Sequence, residues 1–367
     1  MNFRIAYIMH VEWNWIKQRP HFLYEELTRY FSVDLFPIRK LYTAKRVHNN
    51  RNVYRDSQVL NINKLPYSGK IKSLRWCERF INSISIKQLY HYDVIWITSP
   101  LILEFIPTHL IEQKKVVYDC MDDFTQFYCE DSNFKYFQSL ERELLEYSDL
   151  IIASSNYLKE KLLQNYGLTK KVFVINNGIS TSLMNTILME KKSTIKTDSV
   201  NQHFNIIYFG TVSNWMDFDL ILQVLNEIPE VKVTIIGPIE VNVPNHPRLE
   251  FLGLIEHDQL KVHADYADAF IMPFILNDLI RSVDPVKMYE YIFFMKPILS
   301  INYEEMIKFL PFVQLYETVH ELVEIIRTLI KQELELIPQQ KVIHFLEQNT
   351  WGKRAKQISE LLHTNFF

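Results

Sequence analysis

Short, almost uninterrupted apolar runs alternate with helix-period segments along most of this chain. Strands buried on both faces of a parallel sheet have this apolar character, whereas half-exposed strands alternate apolar and polar residues. The runs of the first half are FRIAYIM, VDLFPI, DVIWIT, KVVYDCM, DLIIASS and VFVINNG, with helical segments such as RPHFLYEELTRYF and NYLKEKLLQNYG between them. The pattern predicts an α/β fold with a doubly wound parallel sheet.

A polar stretch, MEKKSTIKTDSVNQ at residues 189–202, interrupts this pattern, which then restarts with NIIYFGT, VKVTIIGP, LEFLGL, DAFIMPF and PILSIN. A chain of 367 residues with 48% hydrophobic content can bury two cores. We therefore predict two doubly wound Rossmann-like domains facing a cleft. The predicted divisions are 1–185 for the first domain, 186–203 for a polar linker, 204–349 for the second domain and 350–367 for a C-terminal helix that could pack back on the first domain.

Composition excludes several classes of protein. The formal net charge is −3 and charged residues make up 23%, which argues against a general nucleic-acid binder. Three cysteines without CxxC spacing, Cys77, Cys120 and Cys129, suggest neither a disulfide framework nor a zinc site, and they fit a reducing cytoplasmic compartment. With no signal-peptide pattern and no apolar run of about 18 residues, we expect a soluble or peripheral protein.

Glycine is rare, with seven in the whole chain, so its positions are informative. Gly210, Gly237 and Gly253 each close a predicted strand of the second half, and Gly178 closes the last strand of the first. Ligands of parallel sheets bind at the carboxyl ends of strands, where the backbone must pass close to them. Any one of these residues could be an ordinary turn glycine, but three in one domain favour a nucleotide-sized site.

The stretch SVDPVKMYEY, residues 282–291, places Lys287 and Glu290 at the start of an otherwise apolar helix. One interpretation is an exposed i,i+3 ion pair, which stabilises a helix by a few tenths of a kcal/mol, on the order of 0.3. The other is a phosphate site.

Several segments together resemble the GT-B glycosyltransferases, and within them bacterial enzymes of teichuronic-acid, capsule and exopolysaccharide assembly. The segments are WNWIKQRPHFL, VVYDCMDDF, DLIIASS, INNG, YFGTVSNWMDFDLI, IIGP, FLG, DAFIMPF, SVDPVKMYEY and a closing TW. The similarity spans nearly the whole chain. It implies a nucleotide-sugar donor on the second domain, an acceptor on the first, and no metal or other cofactor, although MDFD at 216–219 has the Asp-x-Asp spacing of metal-dependent transferases.

The resemblance gives the helix after Asp284 a role in donor binding. With Asp284 as N-cap and Pro285 at the first helical position, free amides and the helix dipole would hold a diphosphate. Lys287 would neutralise the leaving phosphate, and Glu290 is similar to the family's glutamate that binds the ribose hydroxyls. The other predicted donor contacts are Gly210, Thr211, Ser213, Gly237, Pro238, Gly253, Arg281 and Ser282.

This sequence departs from the family pattern in two places. Many relatives carry a second glutamate eight positions before Glu290, where this chain has Ser282, and a basic pair in the segment that here reads GTVSNWMDF. The first departure favours inversion of the anomeric centre over retention. The second places the phosphate charge on Lys287, with help from Arg281 and from backbone amides near Gly210.

An inverting transfer needs a base for the acceptor hydroxyl. Asp122 and Asp123 directly follow the predicted strand KVVYDCM, and close carboxylates raise each other's pKa, which suits proton removal near pH 7. The same pair could simply cap a helix. His10, at the end of the first strand, is the alternative base, although it could also be a hydrogen-bonded structural group.

Acceptor contacts are predicted just after the first strand. Trp13 and Trp15 could stack on a sugar face or anchor the core. Arg19 and His21 flank Pro20 at a helix start, where they could meet a diphosphate on the acceptor or form a solvated cap.

We therefore predict a metal-independent hexosyltransferase that moves a sugar from a nucleotide-diphosphate donor, UDP-linked, to a lipid-linked or polysaccharide acceptor in bacterial cell-surface glycan synthesis. One alternative is a sugar-nucleotide 2-epimerase, which shares the two-domain fold and would convert the donor alone. Another is a binding subunit that has lost its chemistry, as the missing second glutamate would allow.

A local excess of positive charge predicts a membrane partner on the cytoplasmic face. Residues 39–87 contain twelve Lys or Arg against two acids, a net charge of +10. Within them, SGKIKSLRWCERFINSISIKQLY is predicted as one helix at an anionic surface. Its apolar stripe is Ile71, Leu74, Cys77, Phe80, Ile81 and Ile84, and its basic residues are Lys70, Lys72, Arg75 and Arg79. The same stripe could instead cover the sheet as core.

Overall fold

The computed structural model describes residues 3–13, 17–40, 60–66, 72–129, 132–189, 203–255, 257–334 and 337–366. The chain divides into two compact units. The first combines Met1–Asn177 with Trp351–Phe367, and the second is Gly178–Thr350.

Each unit contains one sheet in which neighbouring strands are parallel. The strands are β1 (Arg4–Met9), β2 (Ser32–Lys40), β3 (Ile62–Lys64), β4 (Val94–Ile97), β5 (Lys115–Cys120), β6 (Leu150–Ala153), β7 (Val172–Val174), β8 (Phe204–Phe209), β9 (Val231–Ile236), β10 (Leu249–Gly253), β11 (Ala269–Met272), β12 (Ile298–Ile301) and β13 (Val313–Tyr316). The first sheet has the order β3-β2-β1-β4-β5-β6-β7, and the second has the order β10-β9-β8-β11-β12-β13. Both are doubly wound, because the order runs outward in two directions from a central strand.

Helices follow most strands, with short 3-10 segments between some of them. They are α1 (Arg19–Leu27), α2 (Lys72–Ile81), α3 (Ser83–Gln88), α4 (Thr108–Ile111), α5 (Phe134–Tyr147), α6 (Asn156–Tyr166), α7 (Thr181–Met189), α8 (Phe218–Glu227), α9 (His257–Asp265), α10 (Asp278–Ser282), α11 (Val286–Phe293), α12 (Val319–Ile330), α13 (Gln339–Gln348) and α14 (Trp351–Phe366). Within the part of the chain that the structure describes, no helix has the length and apolar character needed to cross a bilayer.

The C-terminal helix α14 belongs to the first unit. The Trp351 ring stacks on Phe22 of α1 at 5.2 Å between centroids, and Trp351 is completely buried. At its other end His363 contacts Phe3 and Phe31. These contacts make α14 part of the packing around β1 and α1.

The first unit ends earlier than residue 185, the predicted boundary. The Ile179 amide donates to the Asn349 carbonyl at 2.9 Å, and Met184 of α7 lies in the hydrophobic core of the second unit. The helix α7 therefore extends into the predicted linker 186–203, most of which, residues 190–202, lies outside the described residues.

The prediction of one continuous helix over residues 68–90 is wrong. The chain forms α2 and α3 as separate helices, and Asn82 lies between them. The Asn82 side chain accepts from the Asn63 amide at 2.7 Å and donates to the Asn63 carbonyl at 2.9 Å. These bonds pin the junction to β3.

Candidate functional site

The carboxyl ends of three neighbouring strands in the second unit bring the predicted glycines together. Gly210 follows β8, Gly237 follows β9 and Gly253 ends β10. The Gly210 amide donates to the Ile236 carbonyl, and the Gly237 amide donates to the Gly253 carbonyl, both at 2.8 Å. The three glycines thus lie in one row along the edge of the second sheet.

Two of these glycines make room for protein atoms. Gly210 has a φ of +148°, and a Cβ there would overlap with Cε of Lys287. Gly237 has a φ of +144°, and a Cβ there would overlap with the Gly210 carbonyl. Both φ values lie in the region that favours glycine. The sequence predicted that a ligand would pass close to Gly210. In the structure the Lys287 side chain occupies this space and lies directly against the end of β8.

The helix that carries Lys287 begins one residue later than predicted. Pro285, with extended φ and ψ, is the N-cap of α11, so Asp284 as N-cap is wrong. Asp284 is instead buried, where it pairs with Lys308 at 2.9 Å and lies 3.4 Å from the Tyr289 hydroxyl. Because Asp284 is committed to this pair, no carboxylate side chain caps the first amides of α11 within the described structure.

Lys287 and Glu290 are both half-buried, and neither forms an ion pair within 4.0 Å with any residue that the structure describes. The exposed i,i+3 pair considered from the sequence is therefore wrong. Burial lowers the pKa of the Lys287 ammonium, against the opposing effect of Glu290. Burial also raises the pKa of Glu290 to about 7, against the effect of Lys287. Ionisable groups that are desolvated without a partner are typical of ligand sites.

Tyr208 completes the surroundings of Lys287, and the sequence did not single it out. Its ring lies 5.9 Å from the Lys287 ammonium, and its hydroxyl donates to the Thr211 carbonyl at 2.9 Å. The loop after Gly210 is also tied to Pro238, whose carbonyl accepts from the Val212 amide at 2.8 Å. Thr211, Ser213 and Pro238 therefore flank the row of glycines.

The two predicted phosphate contacts on α10 are engaged elsewhere. Ser282 is completely buried and its hydroxyl donates to the Leu279 carbonyl at 2.6 Å, so a donor contact by this side chain is wrong. Arg281 pairs with Glu304 at 2.9 Å in a partly exposed position. In the Asp-x-Asp segment, Asp217 caps α8 by accepting from the Leu220 amide at 2.9 Å.

In the first unit, His10, Thr98 and Asp122 follow β1, β4 and β5, which are neighbours in the sheet. Parallel strands place these residues at one edge. His10 Nδ1 lies 2.8 Å from the Thr98 hydroxyl, and the His10 amide donates to the same oxygen at 3.1 Å. The Thr98 hydroxyl thereby fixes the position of the imidazole.

The structure separates the roles of the two adjacent aspartates. Asp123 is buried in an ion pair with Lys161 at 2.6 Å and accepts from the Thr125 hydroxyl at 3.0 Å. That engagement makes Asp123 wrong as a base. Asp122 is half-buried, and burial raises its pKa to about 6. Arg19 lowers that pKa, and Asp123 and Asp119 raise it, so desolvation contributes more than the neighbouring carboxylate that the sequence suggested.

The predicted anion site around Pro20 is wrong. Arg19 is 1% exposed and pairs with Asp119 at 2.8 Å, and it also donates to Ile175 O at 2.8 Å and to Asn177 Oδ1 at 3.0 Å. His21 is completely buried and its Nδ1 accepts from the Gln18 amide at 3.2 Å. Arg19 therefore joins α1 to β5 and to the chain after β7, and His21 caps α1.

Trp13 belongs to the core and not to a sugar-binding surface. It is 6% exposed and packs on His21 and Tyr24, with ring centroids 5.3 and 5.4 Å away. The core alternative is thus correct for Trp13, and stacking on a sugar is wrong. Trp15 lies outside the described residues.

Three comparisons with known proteins agree with this architecture. Residues 66–183 match the model of Glycosyltransferase Family 4. A Bacillus subtilis (strain 168) protein named as a teichuronic acid biosynthesis glycosyltransferase, TuaH, is 22% identical over 207 residues, 53% of this chain. The aligned region covers 52% of that relative, so the chain spans about half of its length.

Solved structures match over the whole chain. Anabaena HepE, crystallised with UDP and glucose, superimposes with a TM-score of 0.68 at 15% identity, covering 99% of this chain and 100% of its own. Sucrose-phosphate synthase from Thermosynechococcus elongatus gives a TM-score of 0.70 at 14% identity, covering 100% of this chain and 99% of its own.

These similarities, with two doubly wound parallel sheets, confirm the predicted GT-B fold. The matched family model and the curated relative are both named as glycosyltransferases, and the structural neighbours share the fold.

Proposed function

We propose that this protein transfers a sugar from a UDP-linked donor to a lipid-linked or polysaccharide acceptor in the synthesis of a bacterial cell-surface glycan. The observation that carries the proposal is the Lys287 ammonium against Gly210, one helical turn from the Glu290 carboxyl, where neither group has an ion-pair partner among the described residues. The names of two similar proteins support the two ends of the reaction. HepE was crystallised with UDP and glucose, and TuaH is named for teichuronic acid biosynthesis.

Lys287 is the proposed electrostatic group of the reaction. Its ammonium lies at the strand ends where a diphosphate would meet the first amides of α11. Negative charge accumulates on the leaving nucleotide as the bond from the anomeric carbon to the phosphate oxygen breaks. A cation fixed beside that oxygen stabilises the transition state more than the bound donor, and such differential stabilisation is what accelerates the step.

Asp122 is the proposed general base for inversion. It would take the proton of the acceptor hydroxyl as that oxygen attacks the anomeric carbon from the face opposite the leaving diphosphate. A carboxyl with a pKa of about 6 is ionised near neutral pH and is still basic enough to accept this proton. His10, held by Thr98 at the same sheet edge, is the competing candidate.

Glu290 is the proposed ribose contact, and its raised pKa makes donor binding depend on pH. The ionised carboxylate can accept hydrogen bonds from both ribose hydroxyls, whereas the protonated form loses acceptor capacity. We expect the Kd for UDP-glucose, whose diphosphate does not titrate in this range, to tighten as the pH rises from 6 to 8 through the Glu290 pKa of about 7. Glu290→Gln should bind more weakly and lose this dependence in calorimetric titrations.

The matched control for that titration is Glu250→Gln, which removes a carboxylate from an exposed pair with Lys232. It should leave both affinity and pH dependence unchanged. A Glu290→Gln variant with the wild-type pH profile would show that another group binds the ribose or that the donor binds elsewhere.

A donor screen tests the proposed function as a whole. Thermal shifts with UDP, GDP, TDP and CMP identify the nucleotide, and mass spectrometry then follows the matching sugar nucleotides with a saccharide acceptor. We expect stabilisation by UDP and acceptor-dependent gain of one sugar mass. Conversion of the donor without acceptor would indicate the 2-epimerase, binding without any turnover would indicate a non-catalytic subunit, and the absence of any thermal shift would overturn the donor site.

We also propose that the reaction takes place at the cytoplasmic face of the cell membrane. A lipid-linked acceptor is confined to the bilayer, and the segment 39–87 carries a net charge of +10, which favours an anionic surface.

A further inference from the structure

The helices α2 and α3 present polar side chains to the first unit. Glu78 is 5% exposed and its carboxylate accepts from the Leu65 amide at 2.8 Å. Asn82 is completely buried and makes two hydrogen bonds with the backbone of Asn63 in β3. Residues four apart lie on the same side of a helix, so Glu78 and Asn82 mark the side of α2 and of its junction with α3 that faces the first unit. Surface helices usually direct their apolar stripe to the core, whereas α2 directs the polar Glu78 inward and α3 buries one apolar residue, Ile86.

The outward face carries large apolar side chains. Trp76, Phe80 and Ile84 are spaced four residues apart and are 69%, 71% and 71% exposed. The rings of Trp76 and Phe80 stack with 6.1 Å between centroids, and Ile81 beside them is 47% exposed. We call Trp76, Phe80 and Ile84 the apolar ridge. Its exposure makes the core alternative from the sequence wrong for Phe80, Ile81 and Ile84.

Charge identifies what covers the apolar ridge. The helices α2 and α3 include Lys72, Arg75, Arg79 and the exposed Lys87 against one acid, Glu78, whose carboxylate faces inward. A second copy would bring an equally basic segment against this one, and like charges would repel. An interfacial helix combines Trp and Phe on its apolar face with Lys and Arg beside it, and it binds anionic lipid.

We propose that the apolar ridge inserts into the acyl boundary of an anionic leaflet and so docks the first unit on the membrane. The inference deepens the proposed function, on which it rests for a lipid-linked acceptor. It differs from attraction by charge alone, because side chains buried in lipid keep the protein bound when salt screens the cations. A salt-resistant fraction of binding is therefore its signature.

The test uses vesicle co-sedimentation of the full chain. We expect stronger binding to vesicles containing phosphatidylglycerol than to pure phosphatidylcholine vesicles, with a fraction that persists in 1 M salt. Trp76→Ser/Phe80→Ser/Ile84→Ser should reduce the partition coefficient at least tenfold and abolish that fraction. These side chains are exposed, so the variant should keep the wild-type Tm. Reversing Lys72, Arg75 and Arg79 to glutamate should reduce binding at low salt.

The matched control is Leu254→Ser/Val262→Ser/Tyr266→Ser, which removes three side chains of the second unit that are 52%, 53% and 52% exposed. It should bind vesicles as the wild type does. Wild-type binding by the ridge variant, or wild-type protein that stays in the supernatant with both lipids, would overturn the proposal. So would a concentration-dependent dimer that the ridge variant abolishes.

A transfer assay with acceptor in detergent separates this inference from the proposed function. If the ridge variant loses vesicle binding and retains transfer in detergent, both stand. If the wild type binds vesicles and transfers no sugar under any condition, the ridge stands and the proposed function fails.

Discussion

Replacing Lys287 by alanine is expected to lower kcat about 10²-fold, the scale of removing one preorganised charge from a developing anion. The Kd for UDP should change much less, because the charge on the diphosphate grows most in the transition state. Lys287 lies against Gly210 and has no ion-pair partner among the described residues. Its replacement therefore breaks no ion pair in the described part of the chain. Single-turnover rates and calorimetric titrations separate the two effects.

Lys232→Ala is the matched control, since Lys232 forms an exposed pair with Glu250 at 2.7 Å on the same sheet. An exposed pair contributes about 0–1 kcal/mol, so this variant should keep the wild-type kcat. Equal kinetics in the two variants would mean that Lys287 is an ordinary surface lysine. A loss of UDP affinity with an unchanged kcat would show uniform binding and not transition-state stabilisation.

Asp122→Asn is expected to lower transfer by about 10³-fold, within the range for loss of a general base, and to leave UDP binding intact. In the wild type, kcat/KM should fall as the pH drops below about 6, because burial raises the Asp122 pKa to that value and the protonated acid cannot accept a proton. The variant should lack this acidic limb. The measurement is a pH profile of acceptor-dependent product formation.

Two further variants distinguish Asp122 from its neighbours. Asp123→Asn breaks the buried pair with Lys161, so it should lower the Tm. It should keep the acidic limb and move it to lower pH, because Asp123 raises the Asp122 pKa. His10→Asn should retain most activity if Asp122 is the base. Loss of the acidic limb in His10→Asn, and not in Asp122→Asn, would transfer the role to the histidine. A retained anomeric configuration in the product, read by NMR, would remove the need for a base.

The sequence predicted the parallel strands well, because a strand that is buried on both faces must be apolar throughout. The runs around β1, β5, β8 and β11 are of this kind, and their burial patterns are almost continuous. Short or polar elements were missed. The strand β3 has three residues and is held by the side chain of Asn82, at the junction after α2, through contacts that no local pattern encodes.

The row of glycines in the second unit was predictable, because each glycine follows or ends a strand in the sequence. The roles of the charged residues in the first unit were not predictable. A charged residue buried in a structural ion pair and a charged residue in a functional site look alike in a sequence. Arg19 and Asp119 are a hundred residues apart, and only the fold brings them into one fully buried pair. The same limitation applied to Asp122 and Asp123. Lys161, on α6, engages one of them and leaves the other half-buried.

The direct test of the donor site uses the scarcity of glycine. The seven glycines have seven different preceding residues, so amide ¹⁵N labelling of glycine with selective carbonyl ¹³C labelling of the preceding residue assigns every signal. Titration with UDP is predicted to shift the signals of Gly210, Gly237 and Gly253, which lie in one row at the ends of β8, β9 and β10, and to leave Gly167 and Gly352 of the first unit unchanged. Unchanged signals from all three row glycines at saturating UDP would contradict the account.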